Sequence, residues 1–168
     1  MSKDNKIRSI LRAVTAGFIA GFIFLVLLPY LLAEINNILN WTVLKYSFLE
    51  AIGVFLIIFG VGMFIYCSEL FNRLGQGTPA PIEPPEKLVA QGIYKYTRNP
   101  MYLGYFAIVF GEFLFFGHIL LGLYSLFVVV FISFYLIFWE EPELKKRFGD
   151  NYKRYKQEVP RWFNFKFN

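Results

Sequence analysis

Four long apolar runs constrain this chain more than anything else in it. They cover about residues 10–33, 46–71, 102–116 and 119–139. A helix needs roughly 20 residues to cross the hydrocarbon core, and the first, second and fourth runs are long enough. The third is short and ends at Gly117, so it is expected to pair with the fourth as a tight helical hairpin. In lipid, backbone groups are satisfied only inside helices or closed barrels. These runs are continuously apolar and do not alternate, which selects helices over barrel strands. The 168 residues are 57% hydrophobic, above the roughly 45–50% of soluble domains. The expected fold class is therefore all-α, a polytopic membrane helical bundle of about four spans forming one domain, 1–168.

The start of the chain, with Lys3, Lys6, Arg8 and Arg12 before an apolar run, has the layout of a signal peptide. The run continues to Leu32 with no small-x-small cleavage pattern ahead of a soluble domain, so it reads as a retained helix. Orientation follows from Lys and Arg. The N-terminal tail is basic, and the first loop carries Lys45 alone. The second loop has Arg73, Lys87, Lys95 and Arg98, and the turn at His118 has none. The final tail carries Lys145, Lys146, Arg147, Lys153, Arg154, Lys156, Arg161 and Lys166. This alternation places both termini and segments 72–100 and 140–168 in the cytoplasm of what is expected to be a prokaryotic cytoplasmic membrane. The net charge of +5 then records orientation and contact with membrane lipids. Nucleic-acid binding is the weaker reading, because the cations flank spans and form no separate domain. Cys67 is the sole cysteine, so no internal disulfide is available.

Two polar segments thus share one side of the bundle. The first holds Pro79, Pro81, Pro84, Pro85 and Pro100 with Gly75, Gly77 and Gly92, an irregular, stiff composition. It runs into "TRNPMYLGY", residues 97–105. The second is "EEPELKKRFGDNYKRYKQEVPRW". Pro142 disfavours helix at Glu141 and suits the first turn of a new one. Gly149 interrupts, and Asp150 can cap a further turn. Leu144, Phe148, Tyr152, Tyr155 and Val159 share one face, which reads as an interfacial amphipathic element.

The chemistry-bearing residues at that side are Arg98, Tyr94, Tyr96, Tyr102, Glu140, Glu141, Tyr152, Tyr155 and Trp162. No Cys/His cluster has metal-ligand spacing, and no phosphate-binding glycine loop occurs. The lone His118 sits at the opposite end, so no Ser-His-Asp set can form. Hydrolase and kinase chemistry are disfavoured. The groups present suit a zwitterionic, partly aromatic cofactor such as S-adenosylmethionine. Arg98 could pair with its carboxylate, and Glu140 or Glu141 with its ammonium or ribose hydroxyls. Tyrosine faces could hold the sulfonium.

"LVAQGIYKYTRNPMYLGY", then a hydrophobic hairpin, then "EEPELKKRFGDNYKRYKQEVPRW", resembles the isoprenylcysteine carboxyl methyltransferase family and the wider group of small membrane methyltransferases that includes phospholipid N-methyltransferases. The resemblance covers roughly residues 85–162. It implies S-adenosylmethionine in a cytoplasmic pocket, with roles for Arg98, Asn99, Pro100, Tyr102, Glu140 and Glu141. Leu88, Val89, Gly92 and Tyr94 would line the pocket partly through backbone, and Tyr152 and Tyr155 would close it. Eukaryotic members usually read Arg-His-Pro where this chain has Asn99. Asn hydrogen-bonds but carries no proton near neutral pH, so the acceptor stays open between a prenylcysteine carboxylate, a phospholipid amine and another lipophilic molecule.

Glu112 lies deep in the third run. A membrane-buried carboxylate defaults to a functional candidate, either as a base or head-group contact or as the partner of a tyrosine. With Arg98 and Glu141 it completes the catalytic candidates. Gly17 and Gly21 form a GxxxG that offers a helix-packing or homodimer face, and Gly53, Gly60 and Gly62 offer another. The acceptor is expected to enter laterally between the second span and the hairpin. The competing readings are a nicotinamide-binding, reductase-like protein, which would need more clustered cations, and a membrane scaffold, which would leave the Arg98–Glu140–Glu141 constellation unexplained.

Overall fold

In a computed structural model, which describes residue 12 and residues 15–75 and 85–163, the chain is helical along the described part of each apolar run. Pro79, Pro81 and Pro84, most of the N-terminal basic residues and Lys166 fall outside the described residues. Helix α1 is Thr15–Ile38, α2 is Ser47–Gly75 and α3 is Pro100–Phe116. Helix α4, Ile119–Tyr135, passes through a widened turn, Leu136–Glu140, into α5, Glu141–Glu158. Helices α1, α2 and the α4–α5 rod are each long and apolar enough to cross a membrane, and α3 is shorter. The protein is an integral membrane protein.

Two widened turns stand just ahead of prolines. A proline inside a helix lacks an N–H and crowds the carbonyl four residues back. In α1 the turn Ile23–Leu27 precedes Pro29, and the Phe24 carbonyl accepts the Tyr124 hydroxyl at 2.8 Å. At the end of α4 the same device precedes Pro142. The break expected at Glu141 therefore does not occur. Glu141 keeps helical angles, and the chain yields instead at Gly149, whose φ of 56° and ψ of −126° leave the helix. Asp150 does not act as a cap there: its carboxylate takes Lys153 at 2.6 Å. The first helix also runs past the expected 33 to Ile38, and the second continues to Gly75.

Helix α3 starts with Pro100 in its first turn, where the missing N–H costs nothing. It stops at Gly117, in the left-handed region with φ 73°, a C-terminal role that glycine fills without strain. The next turn is stitched to the α1–α2 loop. Leu44 N–H donates to the Gly117 carbonyl at 2.8 Å, and buried Asn36 accepts from Leu120 N–H at 3.1 Å. His118 Nε2 lies 3.1 Å from Asn37 Oδ1.

Helices α2 and α3 meet backbone to backbone through glycines. A Cβ on Gly53 would lie 2.7 Å from the Gly111 carbonyl, and one on Gly60 would collide with the Gly104 carbonyl. Such contact lets helices approach without side chains between them. Gly62, Gly17 and Gly21 have nothing within 4 Å of a built Cβ, so they do not join this seam. The seam leaves no room for an apolar chain between α2 and α3 at Gly53/Gly111 and Gly60/Gly104. Beyond α3, Val109, Tyr124 and Val128 form a core with Leu25, Leu28 and Leu32 of α1.

Candidate functional site

The rim of the bundle where α3 begins collects most of the residues singled out by sequence. The approach segment is fixed first. Gly92 turns with φ +60°, and a Cβ there would come within 2.9 Å of the Tyr66 hydroxyl. That turn buries Tyr94 with Val89 and Cys67, its ring edge-on to Phe71 at 5.6 Å. The side chains of Val89 and Tyr94 thus pack on the end of α2. Leu88 packs on the other side, against Tyr152, Tyr155 and Val159.

That contact also uses the apolar face of α5. Tyr152, Tyr155 and Val159 are 3%, 7% and 7% exposed, because the face expected to lie on lipid docks on the Leu88–Ala90 strand of chain instead. The Tyr155 hydroxyl donates to the Tyr94 carbonyl at 2.7 Å. Burial of these tyrosines pushes both hydroxyls above the ordinary phenol range.

The end of the tail then clamps the residues before α3. Arg98 N–H donates to the Pro160 carbonyl at 3.0 Å. The Thr97 hydroxyl and Asn99 Nδ2 both donate to the Arg161 carbonyl, at 3.1 and 3.0 Å. Trp162 sits 5.3 Å from the Phe106 ring. Asn99 is 8% exposed and spends its amide on this clamp. Thr97 and Pro160 were not legible as site residues. Their one signal was the recurrence of a polar Thr-Arg-Asn triplet and a Pro-Arg pair at the edges of two separate segments.

With both segments clamped, the charges converge. Arg98 Nη1 lies 3.1 Å from Glu141 Oε1, with each side chain 7% exposed, and donates to the Tyr152 hydroxyl at 3.1 Å. Arg161 Nε donates to the same Glu141 oxygen at 2.8 Å, and Lys156 Nζ donates to Oε2 at 2.7 Å. Burial alone would raise the Glu141 carboxyl. The hydrogen bonds from Arg161 and Lys156 and the charge of Arg98 outweigh it and hold it down to about 2. Arg161 is in turn pushed up by Glu141. Three cations face one carboxylate, so the junction stays positive. Nearby, the Tyr102 hydroxyl donates to Glu140 Oε2 at 2.5 Å. Pro100 is buried at the head of α3.

Among the described residues, Arg98 Nε at this junction is buried and has no acceptor. Glu112 does not belong to the cluster. It is twelve residues along α3 from Pro100, roughly 18 Å at the helical rise. It is 8% exposed, and its Oε2 has no partner. The nearby tyrosines do not take it up, since Tyr105 and Tyr124 pair with each other at 3.4 Å. No group of His, Cys, Asp and Glu among the described residues could hold a metal.

The phospholipid methyltransferase family model matches residues 48–151. The chain belongs to the phospholipid methyltransferase family. The matched region runs from α2 into α5 and contains Arg98, Tyr102, Glu140 and Glu141, whereas Tyr152, Lys156 and Arg161 lie beyond it. The chain is also similar to a protein-S-isoprenylcysteine O-methyltransferase of Schizosaccharomyces pombe, 39% identical over 75 residues, 44% of this chain and 31% of that protein. The match thus spans about a third of the yeast relative's length. An uncharacterized protein of Haemophilus influenzae is 39% identical over 62 residues, 37% of this chain and 98% of that one. No solved structure matches. The Arg98–Glu141 junction sits where the two polar segments meet.

Proposed function

We propose that this membrane methyltransferase takes its methyl group from S-adenosylmethionine held at the Arg98 rim and transfers it to a lipophilic acceptor. The unpartnered Arg98 Nε carries the reading. A buried donor without an acceptor is costly, and in a junction with excess positive charge it is suited to a carboxylate. Arg98 would hold the cofactor's carboxylate. Glu140, whose partner is a single tyrosine hydroxyl, would take the ammonium or the ribose hydroxyls. When bound, the cofactor supplies an electrophilic methyl on a sulfonium.

The chain's own contribution is positioning and exclusion of water. Glu141 is unsuited to direct contact, because both its oxygens are already engaged by Arg98, Arg161 and Lys156. It positions Arg98. A carboxylate acceptor, as the name of the yeast relative suggests, needs no base. A phospholipid amine must first lose a proton, so it requires a base that a carboxylate acceptor does not. The alternation of basic segments supports a cytoplasmic rim with both termini on that side.

Purified protein titrated with S-adenosylhomocysteine and with NADPH tests the cofactor. Binding of the first and not the second is expected. Binding of neither, in protein that remains folded, would sink the proposal, and NADPH binding would favour the reductase-like reading. Transfer of labelled methyl into extracted lipids then separates amine from carboxylate acceptors by the base stability of the product.

A further inference from the structure

Helix α5 bends where Gly149 leaves helical geometry. The bend turns its two halves toward one cleft of about 620 Å³, lined by Ile137, Glu141, Pro142, Lys145, Tyr152, Lys153, Lys156 and Gln157. Three lysines from both sides of the bend therefore share one concavity. Lys145 has no ion-pair or hydrogen-bond partner among the described residues. Lys153 reaches Asp150, a carboxylate on the open surface whose side chain is 82% exposed. Lys156 reaches Glu141 Oε2, but Glu141 is also neutralised from its other oxygen by Arg98 and Arg161. The cleft is left with an excess of positive charge, carried most openly by Lys145.

Its floor points to the kind of anion. Ile137 belongs to the widened turn that follows α4. Below it on the same face, at helical spacing, lie Phe134 and Val130. All three are exposed, at 40%, 54% and 45%, as lipid-facing residues are. A phosphate among the lysines would have apolar chain tracks directly beneath it. A soluble anion has no use for those tracks, whereas a membrane lipid uses both parts.

We propose that the Lys145–Lys153–Lys156 cleft binds the headgroup of an anionic phospholipid, with its acyl chains laid along Val130, Phe134 and Ile137. The cleft backs onto the Arg98 junction, with which it shares Glu141, Tyr152 and Lys156.

Native mass spectrometry of the purified full-length protein, loaded with phosphatidylglycerol or phosphatidylcholine, tests this. Phosphatidylglycerol is expected to be retained preferentially, and less so as salt rises, because the contacts are screened. The double variant Lys145→Gln/Lys153→Gln alters two exposed side chains and spares Lys156. It should weaken retention roughly tenfold or more, since each near-surface lysine contributes substantially to anionic-lipid attraction. Lys87→Gln/Lys95→Gln removes the same charge elsewhere and should leave retention unchanged. Equal retention of the two lipids overturns the proposal, and so does equal loss in both variants. Displacement of phosphatidylglycerol by inorganic phosphate at matching concentrations overturns the lipid assignment, marking a site for free phosphate.

Discussion

Arg98 and Glu141 meet at 3.1 Å with both side chains almost wholly buried, one just before α3 and the other at the start of α5. The pair joins the two polar segments that flank the α3–α4 hairpin. Removing its halves should have different consequences. Arg98→Ala leaves Glu141 with Arg161 and Lys156, so the fold should survive while S-adenosylhomocysteine affinity falls roughly tenfold to a hundredfold, the worth of one charged hydrogen bond. Glu141→Gln leaves three cations without their carboxylate. Loss of one partner of a buried pair costs on the order of 3–5 kcal/mol, so this variant should lower the melting temperature as well as the affinity. Calorimetric titration and thermal unfolding in detergent check both, and an Arg98→Ala protein with unchanged affinity would refute the assigned role.

Acid should act through the same carboxylate. Glu141 is held down to about 2 in the folded protein, against an ordinary glutamate value of about 4.3. A depressed carboxyl contributes stability that is fully present above the unfolded value and is lost as pH falls toward the folded one. The junction should therefore contribute on the order of 3 kcal/mol above about pH 5 and lose it progressively down to about pH 2. Melting curves between pH 3 and 7 should show this acid limb, and Glu141→Gln should flatten it. An identical limb in the variant would assign the acid sensitivity to other groups.

The α2–α3 seam predicts a sharp contrast between neighbouring glycines. Gly60→Ala places a methyl against the Gly104 carbonyl and 2.6 Å from Ile108 Cγ1. Because one obstacle is backbone, the helices must part, at a cost of about 1–3 kcal/mol. Gly62→Ala meets nothing and should be neutral or mildly stabilising by helix propensity. Comparable melting temperatures for the two variants would show that the seam is looser than its backbone contacts imply.

The spans and the convergence of two polar segments were legible because hydrophobic length and basic alternation are properties of the chain itself. Other features depend on partners distant in sequence. The seven-residue spacing of Gly53 and Gly60 is repeated by Gly104 and Gly111, yet nothing local says that the two pairs face each other. The apolar stripe of α5 reads equally as a lipid face or a docking face, and only the position of Leu88 and Ala90 decides it. Glu141 was legible as a member of the site but not as its internal counter-ion, because Lys156 and Arg161 looked like any other cations of a basic tail.

Asn99 separates a structural role from a direct one. Its amide shares the Arg161 carbonyl with the Thr97 hydroxyl, so Asn99→Ala leaves that acceptor satisfied and should cost only about 1 kcal/mol. Asn99→Asp turns a carboxylate oxygen toward a carbonyl and should loosen the tail more. Cofactor affinity should track melting temperature across the two. If Asn99→Ala abolishes binding with no change in melting, Asn99 touches the cofactor itself.

Tyr155 tests whether the tail is held from Tyr94. Tyr155→Phe keeps the packing of a 7%-exposed ring but leaves the Tyr94 carbonyl without its 2.7 Å donor. An unsatisfied buried acceptor costs about 1–3 kcal/mol. That loss should fall on the docking of α5 and not on the spans, because the α2–α3 seam has no contact with Tyr155. Hydrogen exchange should therefore quicken in residues 150–162 and in the Tyr94 turn while α3 stays protected. Arg98 should then lose affinity for S-adenosylhomocysteine indirectly, since Pro160 and Tyr152 reach it through that tail. Uniform acceleration across α2, α3 and the tail would mean that rim and bundle unfold together, and the tail could not be treated as a separately docked half of the site.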